Sequence, residues 1–199
     1  MSIYLIRHTA PLIEKGTCYG QADIDITDSF LEEAAIIRQH LPAESLQVYS
    51  SPLQRCHKLA SHLFPFQPIM PEHDLKEIHC GEWELQRWDD IPKAVIDPWM
   101  KDFVNVRIPG GESYVQLFDR VTQCFERIAL TGQPAAIITH GGVIRSILAH
   151  LTRTPLLDSF GAFSLHYGCV VRIDMHEQGR PFEVLSNIAT AKEQHKPAN

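Results

Sequence analysis

The chain has 199 residues, 44% of them hydrophobic, and a formal net charge of -6, which is length and apolar content enough for one domain with its own core. That acidic balance disfavours a nucleic acid or an anionic membrane surface as partner, because both select a basic face. Five widely spaced cysteines, Cys18, Cys56, Cys80, Cys124 and Cys169, read as reduced thiols rather than a disulfide framework. Eleven histidines stand in no H-E-x-x-H or H-x-H array, so neither a metal nor another cofactor is expected. No basic flank precedes a signal-like core and no apolar run approaches a membrane span, which makes a cytoplasmic protein the expectation.

Ile3 to Ile6 is a short, wholly apolar run that stops at Arg7-His8-Thr9, the pattern of a strand buried on both faces. After a loop from Pro11 to Thr27, Ser29-x-x-Glu32 reads as a capping box opening a helix with Leu31, Ala34, Ala35 and Leu41 toward the core, closed by Pro42. Leu46 to Tyr49 is a second strand, and Ser51-Pro52 after it predicts a helix capped by Ser51 with Pro52 in first position. Arg55 then falls in the first turn, where the helix dipole already favours an anion.

Phe64 to His73, with three prolines, reads as a surface connection before an extended segment around Leu75 to Ile78. Trp83 to Pro109 has no clean period yet carries Trp83, Trp88, Trp99 and Phe103, and residues 83–109 are taken as an excursion packed over the domain, a candidate lid. Ser113-x-x-Gln116 is a further capping box, and Leu117, Phe118, Val121, Phe125 and Ile128 recur at helical spacing until Gly132.

Ala135 to Ile138 repeats the opening motif: an apolar run ending in a polar tip, Thr139-His140-Gly141-Gly142, with a helix starting at the glycines. Cys169 to Met175 and Phe182 to Leu185 flank Gln178-Gly179 as an edge hairpin. Residues 1–190 are read as one domain and 191–199 as a frayed polar tail. Parallel sheets place their chemistry beyond the carboxyl ends of the strands, so Arg7, His8 and His140 share one pocket if the two runs are neighbours.

Leu5-Ile6-Arg7-His8-Thr9 and Thr139-His140-Gly141-Gly142, in order with Ser50-Ser51-Pro52-Leu53-Gln54-Arg55-Cys56 and Glu77-Ile78-His79-Cys80-Gly81-Glu82-Trp83-Glu84, resemble the histidine phosphatase superfamily, also called phosphoglycerate mutase-like. The resemblance implies an α/β three-layer αβα sandwich with a mainly parallel mixed sheet. It implies a metal-independent phosphomonoesterase in which His8 is the nucleophile, Arg7, Arg55 and a protonated His140 surround the phosphoryl oxygens, and Glu77 is the proton donor. Glu82 is the runner-up for that last role.

Elementary chemistry agrees with such a set. A phosphate monoester and its attacker are both electron-rich, so catalysis needs a neutral nucleophile, cations around phosphorus and an acid for the leaving oxygen. An imidazole of pKa about 6.5 offers a free lone pair at neutral pH.

Thr9-Ala10-Pro11 replaces the commonest family continuation, and with Gly16-x-Cys18-Tyr19-Gly20-Gln21 and Gly110-Gly111-Glu112-Ser113 it resembles the alpha-ribazole phosphatase branch. By that resemblance Tyr19, Gly20 and Gly141 contact the substrate. Leu85 and Phe30 stand where the family has glycine, and Leu85 is expected to reshape the pocket mouth. The tryptophans of the excursion suit a flat leaving group, unless they are simply core. The partner expected is a small phosphomonoester, with a homodimer left open. Competing readings are a phosphoglycerate mutase or sugar (bis)phosphate phosphatase and, from another class, a phosphoester-binding module without turnover.

Overall fold

The computed structural model describes residues 1–177 and 179–189. Among them, six strands form one mixed sheet in the order β3-β2-β4-β1-β5-β6, with β1 at Ser2–Arg7, β2 at Gln47–Ser50, β3 at Ile69–Pro71, β4 at Ala135–Thr139, β5 at Val170–Asp174 and β6 at Phe182–Ser186. The first four are parallel, and β5 and β6 run antiparallel to their neighbours.

The two apolar runs are the middle of this sheet. Along β1, Ile3 and Leu5 join a core beneath one layer of helices while Tyr4 and Ile6 join a second core beneath the other, as the two-residue period of a strand requires. Along β4, Ala135 and Ile137 face the first core, Ala136 and Ile138 the second. One layer is α4 (Tyr114–Ala129) and α5 (Gly141–Thr152), and the opposite layer is α1 (Phe30–Gln39) and α2 (Gln54–Leu63). The expected three-layer α/β architecture is therefore what the chain adopts.

Several local expectations need correction. Ser29 does precede α1, but its hydroxyl donates to Glu33 Oε1 (2.7 Å) rather than capping the helix, and Glu33 Oε2 accepts from the Ala10 amide (2.9 Å). Leu31 and Ala35 are exposed, and the buried stripe is Ala34 and Ile37. A ten-residue helix against one edge of the sheet buries only a narrow face. The helix after β2 begins at Gln54 with Leu53 as its cap, two residues later than Pro52 suggests; Ser51 Oγ accepts from the Leu53 amide (3.4 Å) and so serves the turn before the helix.

The proline-rich connection hides β3, which pairs with β2 through Val48↔Ile69 and Ser50↔Pro71. Proline is tolerated there because β3 is the sheet edge and its outer N–H positions need no partner. The segment after it is a 3-10 turn, His73–Leu75, and then irregular chain, not an extended strand. The Ser113–Gln116 box forms as expected, with both reciprocal bonds present. Cys169 to Leu185 is the predicted hairpin, although Gln178 of its turn and the tail 191–199 lie outside the described residues.

The excursion contains α3 (Lys93–Lys101) and two single 3-10 turns. Its indoles pack edge-on or stacked on one another, Trp83 on Trp99 at 5.4 Å and Trp88 on Trp99 at 6.0 Å, and with Cys18, Cys80, Ile91, Ile96 and Ile108 they make a small separate core. They serve packing, and the idea that they offer faces to a flat leaving group falls away. Leu85 adopts φ +67 and leaves its side chain 61% exposed. It holds the left-handed turn that favours glycine and points to solvent rather than into a pocket.

Candidate active site

The register of the central strands assembles the site. Arg7 pairs with Thr139, so His8 and His140, each one residue further, emerge side by side beyond the carboxyl ends of β1 and β4. Their rings stand 5.1 Å apart. The His8 amide donates to Thr139 O (3.0 Å), and on the other side β2 delivers Ser51, whose amide donates to Ile138 O (2.9 Å). Neither histidine has more than 1% of its surface exposed.

The His8 ring is held in one tautomer. Its Nδ1 lies 2.7 Å from Thr9 O, and a carbonyl only accepts, so Nδ1 carries the proton and Nε2 keeps the lone pair. The Gly168 amide in turn donates to His8 O (3.1 Å) and the Arg7 amide to Cys169 O (3.0 Å), which ties the tip of β1 to the chain entering β5.

Arg55 is fully buried at the start of α2. Its Nη1 donates to Ala22 O (2.8 Å) and its Nη2 to Gly20 O (2.8 Å), with Nη2 also 3.3 Å from His140 Nδ1. Gly20 sits at φ +37, and a Cβ there would lie 2.6 Å from Ile78 O, so the loop that accepts from Arg55 needs glycine for both conformation and space. Arg7, also buried, donates through Nη1 to Leu165 O.

Two tyrosines support the two guanidinium groups. Arg7 Cζ lies 4.2 Å from the Tyr167 ring centre and Arg55 Cζ 5.2 Å from that of Tyr19, and the two phenol oxygens are 3.1 Å apart. Burial raises the Tyr19 phenol above its ordinary pKa against the opposing pull of Arg7, the Tyr167 hydrogen bond and Arg55, so it stays a neutral donor or acceptor. Aromatic faces under desolvated guanidinium groups stabilise the positive charge that this pocket concentrates.

His140 departs from expectation. Arg55 can only donate, so His140 Nδ1 accepts and Nε2–H donates to Ser51 Oγ at 2.8 Å. Burial, reinforced by Arg55, His8 and Arg7, drives its pKa well below 6.5. It is a neutral imidazole in the protein alone, not the expected imidazolium, because three cationic or potentially cationic neighbours leave no room for a fourth charge until an anion arrives.

This depressed pKa has a consequence for stability. Between the folded value and about pH 6.5 the unfolded chain binds one more proton at His140 than the native protein. Stability therefore rises with pH across that window and is lost on acidification, at up to about 1.4 kcal/mol per pH unit. Urea unfolding between about pH 7 and pH 5 should give a shallower slope for His140→Gln than for the parent. An unchanged slope would show that His140 is not the group responsible.

Glu77 sits half-buried on the α5 side of the pocket. Its Oε2 accepts from the Gly142 amide (3.0 Å) and its Oε1 from the Ile78 amide (2.9 Å). A Cβ at Gly142 would come 2.3 Å from Glu77 Oε1, and one at Gly141 would come 3.3 Å from Arg7 Cζ. The Gly141-Gly142 pair thus admits the carboxylate and one guanidinium to the helix start. Glu82 is exposed, and Glu84 is engaged with the amides of Gln21 (2.9 Å) and Cys80 (3.1 Å). Of the three acids, Glu77 is the one brought to the histidines.

Tyr167 and Ser51 contact the site without having been singled out in the sequence as substrate or catalytic groups. A signal for Tyr167 exists in hindsight: an antiparallel strand beside β1 begins where β1 ends, so the residues before Val170 necessarily border the tip. A groove of about 490 Å³ is lined by Tyr167, Ala10, Leu12, Lys15 and Thr27.

A sheet whose central parallel strands end in two buried histidines, flanked by two arginines and a carboxylate, is the architecture of a phosphoryl-transfer pocket. The model of the histidine phosphatase superfamily (branch 1) matches residues 3–188, and the chain belongs to that family. It is similar to the metal-independent phosphoserine phosphatase of Arabidopsis thaliana, 32% identical over 163 residues that make up 76% of this chain and 68% of that one. It is also similar to phosphoglycerate mutase-like protein 4 of the same plant, 30% identical over 139 residues, 64% of this chain and 60% of that one, so it spans less than two thirds of the second relative. The fold matches that of the alpha-ribazole phosphatase from Shigella flexneri with a TM-score of 0.81 over all of both chains, at 22% identity. The fold is phosphoglycerate mutase-like, and the chain is a phosphoric monoester hydrolase by class. No helix among the described residues is long and apolar enough to cross a membrane.

Proposed function

We propose that the protein releases phosphate from a small phosphomonoester in two steps through a phosphohistidine on His8, and that the ester is alpha-ribazole 5'-phosphate, which would place the protein in cobalamin lower-ligand assembly in the cytoplasm. The observation that carries the chemistry is the His8 tautomer: Nδ1–H bound to Thr9 O makes Nε2 the nitrogen that carries the lone pair in the neutral ring, in a site that also holds two buried arginines.

In the first step Nε2 attacks phosphorus, the P–O ester bond breaks, and the departing alkoxide takes a proton from Glu77. In the second, water attacks the phosphoryl group, Glu77 takes its proton, the N–P bond breaks, and phosphate leaves with His8 restored. Arg7 and Arg55 bind the peripheral oxygens throughout. The bound dianion offsets the cations that hold His140 neutral, so His140 takes up a proton on binding and becomes a third donor. The chain's own cations supply the charge that the transition state needs.

The identity of the alcohol rests on Thr9-Ala10-Pro11, Cys18-Tyr19-Gly20 and Gly110 to Ser113, the segments that resemble the alpha-ribazole phosphatase branch, with Tyr19, Gly20 and Gly141 lining the ester. A second reading is a phosphoserine-type substrate, favoured by the 32% identical relative of that name. A phosphate-release panel of alpha-ribazole 5'-phosphate, phosphoserine, 3-phosphoglycerate and sugar phosphates tests both, compared by kcat/KM because that ratio measures discrimination. Alpha-ribazole 5'-phosphate should lead by about tenfold or more. Phosphoserine in first place would overturn the substrate, and tight phosphate binding with no turnover of any ester would overturn the enzyme reading.

A further inference from the structure

Glu77 lies on a stretch with no sheet or helix to hold it. After the 3-10 turn at His73–Leu75 the chain from Lys76 to Cys80 is irregular, yet a proton donor has to be placed to a fraction of an ångström. Gln21 Nε2 donates to Glu77 O (3.0 Å), and one side chain from a helix does most of the holding. Arg120, in the middle of α4, donates from Nη1 to Asp74 O (2.7 Å) and Lys76 O (2.8 Å), from Nη2 to Glu77 O (2.9 Å) and Glu112 Oε2 (2.9 Å), and from Nε to Glu112 Oε1 (2.8 Å).

A guanidinium has five N–H donors in a rigid plane, and here all five are engaged, three of them with carbonyls of the segment that ends at Glu77. Glu112 closes the far side: Oε2 accepts from the His79 amide (2.9 Å), and its own amide donates to His79 O (2.9 Å). Burial pushes the Glu112 carboxyl up, but the Arg120 hydrogen bonds and charge, with the His79 amide, bring it below its ordinary value, so the pair is ionised. The backbone is thus gripped on both sides of Glu77, at residues 74, 76 and 77 and at residue 79. Neither Arg120 nor Glu112 is among the groups around His8.

We propose that Arg120, with Glu112 as its counter-ion, is the positioning residue for Glu77, setting how well the leaving oxygen is protonated without binding the phosphoryl group. This rests on the reading of Glu77 as the proton donor. A merely structural ion pair would damage all substrates alike. In kcat/KM, which covers only the steps up to release of the alcohol, a positioning pair affects only esters that need the acid, because a leaving group of low pKa departs without a proton; hydrolysis of the phosphoenzyme, where Glu77 acts as base, is common to all esters and does not enter that ratio.

The test compares p-nitrophenyl phosphate, whose leaving group has a pKa of about 7, with an alkyl phosphate whose alcohol has a pKa of about 15, in the parent, Arg120→Lys, Glu112→Gln and Glu77→Gln. Lysine keeps the charge and loses the planar fork. Arg120→Lys should lower kcat/KM on the alkyl ester about 10- to 100-fold. On the aryl ester the loss in kcat/KM should stay within about threefold, with inhibition by inorganic phosphate unchanged. Glu77→Gln should show the same selectivity, larger in size. Equal losses on both esters in Arg120→Lys, or none, alongside a selective Glu77→Gln, overturn the role of Arg120 alone. A non-selective Glu77→Gln overturns the acid assignment and this inference with it. Should Arg120→Lys fail to fold, Glu112→Gln carries the same comparison, selective loss supporting the clamp and uniform or absent loss overturning it.

Discussion

Replacing His8 by alanine is expected to lower turnover by about 10⁴-fold or more, the scale on which removing a covalent nucleophile acts. Among the described residues the neighbouring ring, His140, is not placed to replace it: it directs its N–H to Ser51 and its lone pair to Arg55. The parent enzyme, mixed with ³²P-labelled ester and denatured in alkali within a turnover, should carry a protein-bound phosphoryl group that is lost on acid treatment, as a phosphoramidate is. The His8→Ala protein should carry none while keeping its fold, because the strand pairing of β1 and the bond from the His8 amide to Thr139 O do not involve the side chain. Equal labelling of the variant, or a label stable in acid and lost in alkali as an acyl phosphate is, would remove His8 from the mechanism.

Arg55→Lys should show the next largest loss, about 10²- to 10³-fold in kcat/KM, comparable with removing one preorganised donor from a charge-stabilising site. The substitution keeps the positive charge, so a simple electrostatic view predicts little change. Geometry says otherwise. One fork reaches Gly20 O, Ala22 O and the edge of His140 simultaneously, and an ammonium cannot reproduce that planar spread. A carbonyl of the Gly20–Ala22 loop left without a donor in a buried site costs about 1–3 kcal/mol, so urea stability should fall as well. Vanadate, which mimics the five-coordinate transition state, should lose more affinity than inorganic phosphate, since binding the two equally well gives no rate. A parallel loss for both anions would reduce Arg55 to a ground-state binder.

Strong local signals survive folding. Ile3 to Ile6 and Ala135 to Ile138 are apolar at every position, and only a doubly covered strand accommodates that; the polar tips then had to lie at one edge of the sheet. The Ser113–Gln116 box, the Gly141-Gly142 elbow and the β5–β6 hairpin were legible for the same reason, since each is decided by contacts within a few residues.

What tertiary structure decided is everything that depends on partners far along the chain. Ser51 looks like a helix cap because serine before proline satisfies free N–H groups locally, and its Oγ does accept from the Leu53 amide (3.4 Å), but the register of β2 beside β4 also gives it His140 at 2.8 Å. The proline-rich run at Ile69–Pro71 became a strand because an edge position forgives proline. Glu77 and Glu82 were not separable by spacing, and it is the amide of Gly142, 65 residues away, that holds the first, while the second faces solvent. Arg120 was invisible because its acceptors are mostly backbone carbonyls, which carry no residue identity. That His140 is neutral in the protein alone is not legible in the sequence, because a pKa is set by burial and by the cations that three separate elements bring within reach. The sequence by itself determined which residues could do phosphoryl chemistry and at which sheet edge they would meet; only packing determined their protonation, their support and which carboxylate stands with them, because those depend on distances between segments that are remote in the chain.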